Sequence, residues 1–424
     1  MNPAQNEPSQ AALRALPRNV WAVSLTSFFM DISSEMVLHL LPLFLSNVLG
    51  IGTAVIGVIE GLAETTSSLL KVFSGWLSDR LRARKWVAVV GYAISALSKP
   101  LFYFPNLWTA GIGRWADRLG KGVRTAPRDA LVADSIAEEH RGLAFGFHRA
   151  ADTGGAVVGV TIALIVVWLT EKAGKTAAIT ITLENAFPLI VLISLIPAAL
   201  AVISLVLGAR DVPVKGQRAR PRITFKGLGK PFLILMLIVG LFTLGNSSDA
   251  FLILRAQNAG LSVTGILGML ITFNVVYAVL STPAGSLSDR IGRQRLIVGG
   301  CLVYAAIYIG FALAGAGWQV WLLYALYGVY YGLAEGTAKA MVADIVPADL
   351  RGTAYGTYNA MVGLLAFPAS VIAGLLWQGF GPRPVLGISW TGFGPAAPFL
   401  FGGVLALAAA VWMALWKPGA GDRR

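Results

Sequence analysis

Gly75-Trp76-Leu77-Ser78-Asp79-Arg80 closes a long apolar run and returns later in the chain as Gly285-Ser286-Leu287-Ser288-Asp289-Arg290, a displacement of 285 − 75 = 210 residues. The same displacement, 210, carries Val132-Ala133-Asp134 onto Val342-Ala343-Asp344 and Arg141-Gly142 onto Arg351-Gly352. Matches repeated in one register mark a tandem duplication. The first apolar stretch of each unit aligns after a small gap, Ser33-Ser34-Glu35 against Ser247-Ser248-Asp249, with 247 − 33 = 214.

The solvent for both copies is a bilayer. Of 424 residues 56% are hydrophobic and 13% charged, and the mean hydropathy is +0.69, too apolar for a water-soluble chain of this length. A spanning helix needs roughly 20 mostly apolar residues. Twelve such stretches are expected, at 19–48, 53–77, 86–104, 107–127, 143–169 and 187–208, then 231–256, 263–285, 295–315, 318–336, 354–377 and 395–416. The fold class is therefore an all-α membrane protein of two six-helix bundles. Six helices return the chain to the side it started from, so the halves are parallel repeats about an axis along the membrane normal. The expected parts are a polar tail 1–18, a bundle 19–208, a basic linker 209–230, a bundle 231–416 and a tail 417–424.

The formal charge of +13 lies in short breaks between apolar runs rather than on one soluble face, which argues against a nucleic-acid partner and reports topology. Arg80, Arg82, Arg84 and Lys85, and Arg290, Arg293 and Arg295, sit with the linker on one side; by the positive-inside rule that side, with both termini, is cytoplasmic. The tail 1–18 holds Pro3, Pro8 and Pro17 and lacks the apolar core of a cleaved signal peptide. One cysteine, Cys301, and three histidines without metal-ligand spacing leave no metal site or disulfide framework to expect, and no cofactor.

Charges inside the apolar stretches point to function, because a charge that cannot face lipid lines a water-filled path or pairs within the bundle. In the fourth helix Arg114, Arg118, Lys121 and Arg128 share one face, with Asp117 nearby. In the second, spacings of four and seven put Glu60, Glu64 and Lys71 within about 40° of one another. Asp31 and Glu35, Lys99, and Arg149 and Asp152 add charges to helices one, three and five. A carboxylate in such a place can load and release a proton, so Asp31, Glu35, Glu60, Glu64 and Asp152, with Arg118, form the expected proton-coupling set. Lys71, Lys99, Arg114, Asp117, Lys121 and Arg149, with Asp249, Tyr327, Tyr331 and Tyr358 of the second half, form the expected substrate cavity. Interhelical salt bridges and aromatic packing would account for the same residues without transport.

The two loop copies resemble the signature of the major facilitator superfamily, roughly G-x-L-x-D-R-x-G-R-[RK]-x. Gly285–Arg295 follows it closely, and Gly75–Lys85 carries Arg82 where glycine is usual. Arg118-Leu119-Gly120-Lys121-Gly122 resembles the family's helix-four pattern R-x-x-Q-G, with Lys121 for glutamine. Gly146, Gly155 and Gly159 partly match its antiporter motif, although Val160, Ala163 and Leu164 depart from it. The resemblance implies a bacterial inner-membrane transporter acting as a monomer by alternating access. It would exchange a small-molecule substrate against an ion gradient, with a proton as the coupling ion. Gly75, Asp79, Arg80, Asp134 and their repeats Gly285, Asp289, Arg290, Asp344 would form a conformational latch, in which Arg80 pairs with Asp134 and Arg290 with Asp344.

Three functions follow: proton-coupled efflux of a small organic or amphipathic compound; proton-coupled uptake of an organic anion, suggested by Arg114, Arg118, Lys99 and Arg149; and a non-transporting sensor or lipid-handling protein. The partial antiporter motif puts efflux first. The chain has no nucleotide-binding loop or nucleophile constellation, so an enzyme is not expected.

Overall fold

Hydrocarbon offers no partner to backbone N–H and C=O groups, so a spanning chain satisfies them within helices or a closed barrel. In the computed structural model every regular element among the described residues is helical. Described are residues 16–416 except 105, 138–139, 175–178, 213–225, 335–336, 348–349 and 381–389; at 174, 280–291, 332–334, 337, 339–340 and 343 only the backbone is described.

The first half comprises α1 (Arg18–Leu38), α2 (Leu41–Asn47), α3 (Thr53–Leu81), α4 (Arg84–Ser98, continued by a 3-10 turn Lys99–Tyr103), α5 (Leu107–Asp134), α6 (Arg141–Gly174) and α7 (Ile179–Gly208). The second comprises α8 (Gly229–Gly245), α9 (Ala250–Asn258), α10 (Val263–Ile291), α11 (Arg293–Leu313), α12 (Gly317–Ala334), α13 (Thr337–Ile345), α14 (Arg351–Gln378) and α15 (Ala397–Leu415). Joining α1 to α2, α8 to α9 and α12 to α13 makes twelve spans, six in each half. Eight spans among the described residues are long and apolar enough to cross a membrane. The helices α3 and α5 are long enough, at 29 and 28 residues, but carry the charges singled out above. Each packs on the other, and α3 also lies along α14 of the second half.

The structure departs from a continuous first helix in both halves. Pro42 stands in the first turn of α2 and cannot donate to the turn before it, so the first span breaks at His39-Leu40. In the second half Asn246-Ser247-Ser248-Asp249 interrupts α8 and α9; short polar side chains compete for backbone hydrogen bonds and favour such breaks. In contrast α5 runs through Pro127 to Asp134 instead of ending there.

The halves meet along α3 and α14 by small residues. A Cβ on Gly57 would lie 2.2 Å from the Ser370 carbonyl oxygen, and one on Gly374 would lie 2.4 Å from that of Thr53. Thr53 Oγ1 donates to the Gly374 carbonyl at 3.0 Å and Thr65 Oγ1 to that of Gly363 at 2.6 Å. At the end away from Arg18 and Leu415, Asn47 and Gln257 exchange side-chain hydrogen bonds of 3.0 and 2.5 Å. One apolar cluster there runs through both halves, from Leu41 and Phe187 to Phe251 and Phe399. Near Arg18 and Leu415 each half has its own cluster, around Tyr92 and Leu205 in the first and around Phe232 and Met413 in the second. The apolar core is shared by the two halves at one end and separate in each half at the other.

Candidate transport site

Between the halves lies a cavity of about 320 Å³. Its first-half wall carries Glu35 and His39 from the first span, Glu60 and Glu64 from α3, and Arg114 and Arg118 from α5. Its second-half wall is the α8–α9 break, with Tyr331 and Ser370. The sequence spacing explains the first wall: α3 and α5 turn their charged faces to each other, and the acids of one meet the arginines of the other.

Arg114 grips Glu60 in a bidentate pair, Nε to Oε1 at 2.8 Å and Nη2 to Oε2 at 2.6 Å. Two parallel charge-assisted bonds fix orientation as well as energy, and both side chains are nearly closed to solvent, at 6% and 4% exposure. One turn on, Arg118 pairs with Glu64 at 2.8 Å, and Arg114 reaches Glu64 at 3.8 Å. Glu35 holds His39 at 2.5 Å. Across the cavity the Ser248 hydroxyl donates to Glu60 Oε2 at 3.2 Å, so one carboxylate is shared between halves. Asp249 faces the cavity exposed, and Tyr327 donates to it at 3.4 Å.

Other expected cavity residues lie elsewhere. Lys99 and Asp117 are buried against each other within the first half at 2.9 Å, with Ser34 as the second partner of Lys99 at 3.0 Å. Exposures of 0% and 1% remove both from substrate contact. Lys121 lies within electrostatic reach of Asp31, Glu35 and Glu64, and Lys71 of Glu64, but neither lines the cavity. Arg149 crosses to the second half, its guanidinium meeting the Tyr277 hydroxyl and lying 5.4 Å from that ring's centre. Tyr327 is buried in an aromatic cluster with Tyr304, Tyr308 and Tyr324. Tyr358 lines a separate chamber. Asp152 stands 4.0 Å from Arg128 and 3.6 Å from His148, away from the Glu60 and Glu64 ladder.

The expected latch has a different arginine. Arg84, not Arg80, pairs with Asp134, and it also bonds Asp79 at 2.9 Å. Arg80 lies over the Trp76 ring, 5.4 Å from its centre. The reason is position: Arg84 opens α4 and points back between the ends of α3 and α5, whereas Arg80 is on the outer face of α3, exposed. In the second half Arg293 pairs with Asp344; the side chains of Gly285, Asp289 and Arg290 lie outside the described residues. A Cβ placed on Gly75 would lie 3.2 Å from that of Ala126 on α5.

Sequence reasoning missed Ser248, Asn246, Ser370 and His39. The tetrapeptide Asn246–Asp249 served only to align the repeats, although four short polar residues inside an apolar run are themselves a sign of a helix break. Glu35 and His39, four apart, were also a visible pair. Gly57-x3-Gly61 announced the close seam with α14.

Residues 23–370 match the model of the Major Facilitator Superfamily. MFS-type transporter MJ1317 of Methanocaldococcus jannaschii is 36% identical over 401 residues, covering 93% of this chain and 94% of its own. Among solved structures, nucleoside transporter NupG superposes with a TM-score of 0.72 at 14% identity, covering 94% of this chain and 100% of that one. A D-xylose-proton symporter gives a TM-score of 0.72 at 15% identity, covering 95% and 97%. At these identities the two structures share the fold. With the family model spanning most of the chain and the long alignment to the archaeal transporter, the protein belongs to the Major Facilitator Superfamily of membrane transporters.

Proposed function

We propose that the chain is a proton-coupled secondary transporter that takes up a small organic solute by alternating access at the cavity between its halves. The observation that carries this reading is the Glu60–Arg114 and Glu64–Arg118 ladder, joined to the second half by Ser248. A buried carboxylate held by an arginine has two states: ionised and paired, or protonated with the pair released. Glu64, with 33% of its side chain open, is the member a proton in the cavity reaches first. Losing charge there frees Arg118. Loss of charge at Glu60 weakens the Ser248 contact, so the proton load acts on the position of one half against the other.

Uptake has better support than the efflux reading. The antiporter motif is incomplete at Val160, Ala163 and Leu164, and the fold neighbours include a nucleoside transporter and a proton symporter. The positive-inside rule supports a cytoplasmic side for the basic loops, which makes the end at Asn47 and Gln257 the outer one. Solute, proton and bilayer are the partners, and one chain contains a complete cavity.

The test is uptake into liposomes carrying the purified protein, with an acid-outside pH gradient and a panel of cationic, neutral and anionic solutes. Solute entry accompanied by proton entry, lost in Glu64→Gln and Arg118→Ala, is expected. Solute-driven proton movement of opposite sign would return the protein to efflux, and solute equilibration without proton movement would remove the ladder from coupling.

A further inference from the structure

Resting on the transport reading, we propose that the solute is a small organic cation, with a protonated amine held by Asp249 and Glu64 and an apolar body seated in a second chamber. Four acids line the cavity, Glu35, Glu60, Glu64 and Asp249, against Arg114, Arg118 and His39, the last paired with Glu35. Exposure matters more than the count. Arg114 and Arg118 expose 6% and 17% of their side chains and are already bound by Glu60 and Glu64. Glu64 exposes 33%, Asp249 is exposed outright, and Glu35 at 26% is offset by its partner His39 at 22%. The charge a solute meets is therefore carboxylate. Among the described residues Asp249 has no cation within ion-pairing distance; its hydrogen bond is from the neutral Tyr327 hydroxyl. An exposed, unpaired carboxylate on an otherwise uncharged wall is satisfied by a cationic head, and Tyr331 beside it offers an aromatic face to the same group.

The second chamber, about 210 Å³, lies inside the second half and shares Asn246 and Val362 with the central cavity. Phe242, Cys301, Tyr330, Tyr358 and Met413 line it, and among the described residues no charged side chain does. A polar cavity opening beside an apolar one binds a ligand with a charged head and an apolar body, the few polar groups fixing its orientation. The arginines that suggested an organic anion are spent within the protein.

Three probes of one skeleton separate the possibilities: 2-phenylethylamine, 2-phenylethanol and phenylacetate. Binding to the purified full chain is read by the shift in Tm and by the rate at which maleimide alkylates Cys301, the chain's single cysteine, which lines the chamber. The amine is expected to raise Tm and slow alkylation, while the alcohol and acid do neither. Asp249→Asn should weaken amine binding about tenfold, the scale of one lost charged hydrogen bond, and Asp249→Glu should retain it. Preference for phenylacetate, equal effects of all three, or no effect of any on Tm overturns the proposal. The assay needs no gradient. Absent amine binding alongside proton-coupled movement of another solute would sink this inference alone, and amine binding without transport would sink the transport reading alone.

Discussion

Arg82 and Gly292 occupy the same place in the two halves, 292 − 82 = 210 residues apart, and both hold a positive φ, 51° and 90°. Each ends the helix after the repeated loop motif, α3 in one half and α10 in the other. A left-handed backbone crowds the Cβ of an L-residue at a cost of about 1–2 kcal/mol. Arg82→Gly should relieve part of that and raise Tm slightly, whereas Gly292→Ala should lower it. Thermal unfolding of the two variants in detergent checks the pair; equal and opposite behaviour to this would mean the turn is set by something other than φ.

The Glu60–Arg114 pair should show the asymmetry of buried ion pairs. Removing one partner, as in Glu60→Gln or Arg114→Gln, leaves a buried charge uncompensated and should cost about 3–5 kcal/mol. The double variant should cost less than the sum of the two. A double-mutant cycle on unfolding measures the difference, and strict additivity would deny the coupling.

Arg84 and Arg80 should differ in effect. Arg84→Ala removes the guanidinium that Asp79 and Asp134 share and should slow transport strongly, while Arg80→Ala, which loses a ring contact at the surface, should leave rates within about twofold, given the ~0.5–1 kcal/mol of an exposed cation–π contact. Initial uptake rates at matched protein levels decide it. Equal losses would restore Arg80 to the latch.

The end at Asn47 and Gln257 can be trapped. With Cys301→Ala as background, Asn47→Cys and Gln257→Cys should cross-link under mild oxidation, since the native side chains already bond at 2.5 and 3.0 Å. The linked protein should bind solute and fail to transport it, with activity returning on reduction. Transport that survives complete cross-linking would show that this end need not open.

Lys99 is expected to matter for folding rather than affinity. Lys99→Met leaves Asp117 buried without its cation and should depress Tm, while KM for the solute stays near that of the parent protein because neither residue lines the cavity. A large KM change at unchanged Tm would place Lys99 back in the substrate path.

The duplication, the twelve spans and the identity of the charged helices were all legible in the residues. They depend on composition and on periodicities of 210 residues along the chain and 3.6 per turn, and the bilayer enforces both locally. Even the departure at Arg82 was visible as a missing glycine. The tertiary structure decided which charges meet. Glu60, Glu64, Lys99, Arg114 and Asp117 are each an ionisable group inside an apolar run, and the sequence divides them between coupling and cavity without saying which of them pair. Packing placed Lys99 and Asp117 inside one half and Glu60 and Glu64 against the cavity, because the rotation of α3 and α5 about their axes is set by the glycine seam with α14 and by the turn of α4. The same is true of Asp134, whose partner is Arg84, aimed at it by the start of α4, and not Arg80 of the repeated hexapeptide. Helical periodicity places a side chain on a face; only the neighbouring helix determines what that face touches.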